Sequence, residues 1–546
     1  MTRWAAAALV LWLAHPATAK DLYVNNSGTP ACSDSTTYAN NDAASPWCSI
    51  GRAAWGTTSR SSPDSAQAAA AGDTVYVTAG VYSVAGSSNW NSPTYDPVNS
   101  GTSDTNRIVF KAVGAVELEY SSGWGPMIGA TSVDGVGTRS DYITWDGFTI
   151  YDVRAPQSLG SGDSSIGNAR CGYVIGCVIQ NNRFYGNLST SLGNNYAGVW
   201  LAGSGLGGEG GHSNVVRNNT IKNYLNFGTG YHHNAPGIMT YGIWDSVIEN
   251  NEIENCGVGI HLKGGGEEGN KNNTVRKNLI YESGGGIVLG TTTGTHLVYQ
   301  NIVRDSHWGL KFQNHGSGFK GTYYVVNNTF VNNAINDDEG TVGTFSPHSS
   351  AVEGLDGVYI YNNIQYRSTG STAVGTAWWF WDQWAVTFLD YNFYYQITRY
   401  KKSETNYATL ANWRTALGGC PGAGRECAST TDDPLFVDAG EYDYRLQAES
   451  PARTVGRTIT AIHGSDGETI PAGAYITGDE VIGPTEGDEP PAPTDPIRWR
   501  VRFRAGSLEL GSLAVALVWW LRRRRRPTLD EPLDEPGPTT TDSNRH

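Results

Sequence analysis

Between residues 200 and 313 the sequence gathers side chains able to move protons and hold anions: Trp200, His233, Tyr241, His261, Lys263, Arg276, Lys311 and Gln313. Such a set suits β-elimination from a uronic acid. A base must take the proton α to the carboxylate, a cation must neutralise that carboxylate, and an acid must protonate the leaving oxygen. Lysine serves as the base when its surroundings lower its pKa, and tyrosine or histidine can serve as the acid. Lys263 is accordingly the candidate base or neutraliser, His261 and His233 its partners, and Tyr241 the acid. Lys311, Gln313, Trp200 and Arg276 are candidate substrate contacts. Each has a blander reading. An outward lysine is commonly just solvated, Trp200 can be packing, and Cys256 beside Gly257 suits a buried position better than a reactive one. His232 and His233 are not a metal motif, because adjacent residues on a strand point to opposite faces.

The elements that must position these residues repeat. The pattern apolar, polar, Asn, any residue, apolar recurs as IQNNRF, VRNNTI, IENNEI, VRKNLI, VYQNIV, VVNNTF, YNNI and LDYNFY. Its key Asn falls at 182, 219, 251, 278, 301, 328, 362 and 392, with gaps of 23 to 37 residues. That length suits one turn of a solenoid built from two or three short strands. Gly259, Gly286 and Gly309 each follow a key Asn by 8 residues and open GIHLK, GIVLG and GLKFQ. Alternation with period 2 dominates, so the turn is strand, Asn-containing bend, strand. Asn tolerates the left-handed backbone of such a bend, and stacked Asn side chains can hydrogen-bond from turn to turn. Alternation sends Ile260, Leu262, Ile287, Leu289, Leu310 and Phe312 inward. It sends His261 and Lys263, Val288 and Gly290, and Lys311 and Gln313 outward, with Trp200, Met239 and Tyr241 in the same column from AGVWL and PGIMTYG. Lys263 and Lys311, two turns apart, then lie about 10 Å from each other.

Composition narrows the class. The chain has 546 residues with 68 Gly, 18 Trp and only 3 Met, and 16% of its residues are charged. A turn-rich all-β chain follows, and charge-rich disorder is excluded. The net charge of −14 argues against nucleic acid as a partner. It leaves room for an acidic polysaccharide on a local basic groove. Residues 1–19 read as a signal peptide: Arg3, then the apolar Trp4 to Ala14, then Ala17-Thr18-Ala19. Export permits disulfides, and Cys32/Cys48, Cys171/Cys177 and Cys420/Cys427 are the simplest local pairs, leaving Cys256 over. Residues 20–483 form the solenoid domain, with a helical cap near 49–57 from SIGRAAWG, and DDPLFVDAGEYDYRLQAESPA (432–452) closing it. Residues 484–504 are a Pro- and acid-rich linker, 505–526 a short apolar segment followed by Arg522 to Arg526, and 527–546 a polar tail expected to be disordered. The apolar run is short for a membrane span.

DLYVNNSGTPA, AGDTVYVTAGVY, the Asn repeat and DPLFVDAGEYDYRLQAESPA together resemble right-handed parallel β-helix proteins of the pectate-lyase-like superfamily, over about residues 21–483. The resemblance implies an all-β, single-stranded right-handed parallel β-helix. It does not choose among lyase, hydrolase, epimerase and non-catalytic surface protein. The segment 505–526 resembles the Gly-Ser-Leu-type sorting tails of Gram-negative bacteria, with a plain membrane anchor as the alternative. That implies an exported protein of the cell envelope or surface, retained there or released, touching the membrane only through this segment, and a monomer is expected. In the alginate lyase and chondroitinase B family a base Lys follows two calcium-binding Glu. Matching that Lys to Lys263 places Cys256 and Val258 at the Glu positions, and neither binds calcium. No cofactor is expected, and calcium has no specific motif here. Three functions follow: a lyase of an acidic polysaccharide, a glycan-binding or structural surface protein, and a glycoside hydrolase. The hydrolase would draw on Asp337, Asp338 and Glu339.

Overall fold

The computed structural model describes residues 19–484, apart from 90, 124, 133–139, 152–165, 187–195, 204–210, 226–234, 265–268, 291, 314–319, 334–344, 348–356, 372–375, 381–386, 404 and 421–424. Residues 1–18 of the expected signal peptide, the expected linker and tail beyond 484, His232, His233 and the Asp337–Glu339 run lie outside the described residues. The chain divides into units of residues 1–492 and 493–546, and the second contains no described residue.

Short parallel strands coil into a right-handed parallel β-helix. One complete turn shows the plan. Val247–Glu249 lies on a first face, Glu252–Glu254 on a second, and Val258–Lys263 on a third, before Thr274–Arg276 returns to the first. Strands of successive turns pair in parallel, Val247–Glu249 with Thr274–Arg276 and Glu252–Glu254 with Leu279–Tyr281. Among the described residues the first two faces merge into one 21-stranded sheet, and the third is an 11-stranded sheet. Ile248, Ile253, Ile260 and Leu262 point inward, and the same positions of each turn stack into one continuous apolar core.

The bend between the first two faces assigns its work to two neighbours. Asn182, 219, 251, 278, 301, 328, 363 and 392 form a wholly buried ladder. Each side-chain amide donates to the carbonyl oxygen of the next at 2.9–3.2 Å. The left-handed backbone belongs to the residue just before: Asn181, Asn218, Asn250, Lys277, Gln300, Asn327, Asn362 and Tyr391, at φ of 53–60°. In YNNI the ladder position is therefore Asn363, and Asn362 is the left-handed residue. The landmark glycines have another cause. A Cβ on Gly259 would sit 2.5 Å from Cγ2 of Ile280, and one on Gly286 2.6 Å from Cγ1 of Val303. Only glycine lets the third face start so close to the core residues of the second.

Both ends are covered. Helix α1 (Ile50–Trp55) is buried along its length, with Ser49 accepting from the Arg52 N–H and Gly56 ending it at φ 72°. It packs on the first strands, inside the expected 49–57 cap. The C-terminal end is closed by α2 (Leu410–Ala416), whose Trp413 joins the core. Residues 432–452 do something different from the expected closure. They begin a strap that runs back along the second face, its Phe436, Tyr444, Ala452, Ala472 and Ala474 packing on Ile302, Ile364 and Phe393. Pro471 and Gly473 carbonyls accept from Asn327, and the strap reaches Lys277, whose carbonyl accepts from the Gly483 N–H at 3.0 Å. The outward positions explain where it stops. On successive turns they read Arg183, Thr220 and Glu252, then turn apolar at Leu279 and Ile302. Apolar surface needs cover, and polar surface does not.

The disulfides are Cys32–Cys48, Cys171–Cys177 and Cys420–Cys427. Cys256 is free and buried. Its thiol bonds the Glu254 carbonyl as Ser283 Oγ bonds Tyr281 and Ser306 Oγ bonds Arg304 on the following turns. Burial pushes that thiol up to about 12. Cys256 is thus a member of a second corner ladder rather than a nucleophile.

Candidate functional site

The third face positions the site. Its strands Ile166–Gly172, Tyr196–Ala202, Pro236–Tyr241, Val258–Lys263, Ile287–Leu289 and Leu310–Phe312 stack in strict parallel register. One outward column runs Arg170, Trp200, Met239, His261, Val288, Lys311. A second, two residues further along each strand, pairs Ala202 with Tyr241 and Tyr241 with Lys263. The register carries it on to Gly290 and Gln313.

The inward and outward assignment therefore holds, with two corrections. First, Lys263 and Lys311 belong to different columns, so they are separated along the strand as well as by two turns. Second, outward does not mean exposed. His261 is 0% and Lys311 2% exposed, and Trp200 and Met239 are buried as well. His261 lies between Met239 and Val288 in its column, and Val288 packs with Val258 and Trp308. The Lys311 ammonium lies 5.4 Å from the Trp308 ring centroid. Large apolar neighbours pack this column instead of leaving it to water. Arg276 is also placed elsewhere, on the first face. There it pairs with Glu249 at 2.6 Å and donates to Tyr299 Oη at 2.8 Å, and is consumed in that network.

What the third face does present is Lys263 with Tyr241. Both are half-buried. The Lys263 ammonium lies 5.1 Å from the Tyr241 ring centroid. Tyr241 in turn stacks on Trp200, centroids 5.2 Å apart and planes within 14°. The Arg170 guanidinium lies 5.6 Å from the Trp200 ring, on the turn before. Arg170, Trp200, Tyr241 and Lys263 thus form a cation–ring–ring–cation stack along the solenoid axis. Such contacts hold a cation in place at about 0.5–2 kcal/mol each. Burial holds Lys263 below its ordinary pKa and pushes Tyr241 up to about 12. A base that sheds its proton more easily and an acid that keeps its own stand side by side. Arg170 was not anticipated. Its signal was present in NARCG, in register with Trp200, but that strand lacks the landmark glycine spacing.

The charge pattern of the face is one-sided. Its described strands carry Arg170, Lys263, Lys311, Arg399, Lys401 and Lys402 and no Asp or Glu, in a chain of net charge −14. Carboxylates cluster on the second face instead. Glu252 and Glu254 share Lys222 at 3.0 and 2.7 Å and both accept from Tyr281 Oη. Their spacing is that of a carboxylate pair, but the Lys222 and Tyr281 contacts hold Glu254 below its usual range despite its burial. Glu254 is therefore not the raised acid that glycoside hydrolysis requires. Among the described residues no group of three or more His, Cys, Asp or Glu could hold a metal ion. No helix of the described residues is long and apolar enough to cross a membrane.

Comparison with known proteins gives the fold and little else. Residues 128–364 match a family model described as a right handed beta helix region. No curated protein matches the sequence. Similar solved structures include pectate lyase Pel9A, 16% identical over 84% of this chain and 96% of that one, with a TM-score of 0.48. A rhamnogalacturonan lyase is 14% identical over 65% and 83%, with a TM-score of 0.43. The A-module of mannuronan C-5 epimerase AlgE4 from Azotobacter vinelandii is 13% identical over 66% and 91%, with a TM-score of 0.36.

Proposed function

We propose that this β-helix is an exported protein that acts on an acidic polysaccharide, cleaving it by β-elimination on its third face. The observation that carries the reading is that the described strands of that face bear cations, the half-buried Lys263 among them, and no carboxylate, on an acidic chain. Such a surface attracts a polyanion locally while the rest of the molecule repels it. Lys263 is the base. Its neutral amine takes the proton α to the uronate carboxylate, and the electron pair forms the new carbon–carbon double bond. The glycosidic C–O bond breaks, and Tyr241 gives its phenolic proton to the leaving oxygen. Base and acid rise from the same face, so both proton transfers occur on one side of the sugar ring. Gln313 lies further along the axis, where it can meet a flanking sugar, whereas Arg170, 2% exposed, braces the Trp200 ring and not the sugar. His261 and Lys311, being buried, act through their neighbours and not on the sugar. Export rests on the signal-like residues 1–19, and retention at a Gram-negative envelope on 505–526.

A second reading is a glycan-binding surface module, favoured by the burial of His261 and Lys311. The two separate in one experiment. Residues 20–483 are incubated with pectate, alginate, heparinoid and chondroitin, and the ultraviolet absorbance of the unsaturated uronate is followed. The lyase reading expects a rise with one of these that Lys263→Met removes. Silence on all four, with retained binding, transfers the face to the surface module.

A further inference from the structure

The C-terminal cap contains a carboxyl group whose charge burial disfavours. Glu426 is completely buried and its backbone is left-handed, at φ 58°. Oε1 accepts from Tyr394 Oη at 2.5 Å, whereas Oε2 has no hydrogen-bond partner. Tyr400 Oη, facing the same carboxyl, is likewise buried without one. Every element packed here contributes a group. Asp390, from Phe388–Asp390, is a second buried carboxyl, occupied by the N–H groups of Tyr391 and Ala428. Tyr394 and Tyr400 come from Phe393–Tyr395 and Arg399–Lys402. From α2 comes Arg414, whose guanidinium is turned to the backbone carbonyls of Glu426 and Ser429 rather than to the carboxyl. The Ser429 hydroxyl accepts from the Asn392 N–H, and the Asn392 amide donates to Ile360 O. Trp413 stacks on Tyr400 at 5.8 Å, and the Cys420–Cys427 bridge ties the loop beside Glu426.

We propose that this cap is a pH-sensitive latch: with Glu426 protonated it closes the open end of the solenoid, and ionisation of Glu426 loosens α2 from the last turns. The direction follows from linkage. Burial raises the Glu426 carboxyl from 4.5 to about 7. A carboxyl raised in the closed state binds protons more tightly there than in the open one. Closure is therefore strongest in acid, weakens as pH rises between the two values, and levels off above the higher. Loosening would bare the edges of the last strands, the part of a solenoid most prone to pair with another chain.

The test is hydrogen exchange on residues 20–483, with protection corrected for intrinsic rates and read over 388–402 and 410–417. The latch predicts protection about 100-fold lower at pH 8 than at pH 4.5, with α1 as an unchanged internal reference. Glu426→Gln should remove most of that difference and keep the cap closed at pH 8. Equal protection at the two pH values in the wild-type chain overturns the proposal even if the variant fails to fold. So does a Glu426→Gln cap that loosens with pH as the wild type does.

Discussion

Replacing Asn278 by Ala separates the two roles at the bend. Asn278 is 0% exposed and makes five side-chain hydrogen bonds. Its Oδ1 accepts from Asn251 N at 3.1 Å and Asn251 Nδ2 at 2.9 Å. Its Nδ2 donates to Ile248 O, Arg276 O and Asn301 Oδ1, each at 3.0 Å. Some of these partners keep another bond. Asn251 Nδ2 still donates to Val216 O, and Arg276 O still accepts from Asn250 N. The Asn251 N–H loses most, because the Ile248 carbonyl stays in the parallel ladder with Thr274–Arg276. One buried polar group left bare costs about 1–3 kcal/mol, so Asn278→Ala should destabilise by about 1–3 kcal/mol. Its neighbour Lys277, at φ 56°, should behave oppositely. Lys277→Gly relieves the left-handed strain and should be neutral or slightly stabilising, and Lys277→Val should destabilise by roughly 1–2 kcal/mol. Urea unfolding followed by tryptophan fluorescence reads all three. An Asn278→Ala midpoint equal to wild type would refute the division of labour, as would a Lys277→Gly loss as large as that of Asn278→Ala.

The remaining predictions concern chemistry. Lys263→Met should lower lyase turnover about 100-fold or more while the chain melts no lower than wild type, because a half-buried ammonium held below its ordinary pKa is a mild burden on the fold; turnover and thermal unfolding are measured on one preparation. The pH profile should rise as Lys263 loses its proton, somewhat below 10.5, and fall as Tyr241 ionises near 12; a profile that peaks in acid would contradict these roles. Cys256→Ser should change stability by less than about 1 kcal/mol, since Ser283 and Ser306 fill the same place on the next turns, and a thiol reagent should not react with the native chain.

The solenoid was legible because its periodicities are local: the Asn repeat, the alternation of Ile260 with His261, and the Gly spacing all follow from the pitch of one turn. Even there, YNNI offered two adjacent Asn, and only the stacked geometry separates the ladder residue Asn363 from the left-handed Asn362. The strap escaped the reading because its contacts span up to 206 residues, as between Lys277 and Gly483; Leu279, Ile302 and Ile364 at outward positions were its trace. The site was legible in direction and not in depth. Alternation gives the side of the sheet on which His261 and Lys311 stand, but not that Met239, Val288 and Trp308 bury them. Arg276 resembled a free cation until Glu249, one turn earlier, was seen to claim it. Arg170 was missed because its strand, NARCG, lacks the glycine spacing that marks the later turns.

The central claim, that the third face takes an acidic chain through Lys263 and its neighbours, is tested most directly by affinity electrophoresis of residues 20–483. The gels contain a uronate polysaccharide or the same polymer with its carboxyls reduced. The account predicts retardation by the acidic polymer alone, weakened by salt and abolished by Lys263→Glu. Equal retardation by the carboxyl-reduced polymer, or retardation by the acidic one untouched by Lys263→Glu, would contradict it.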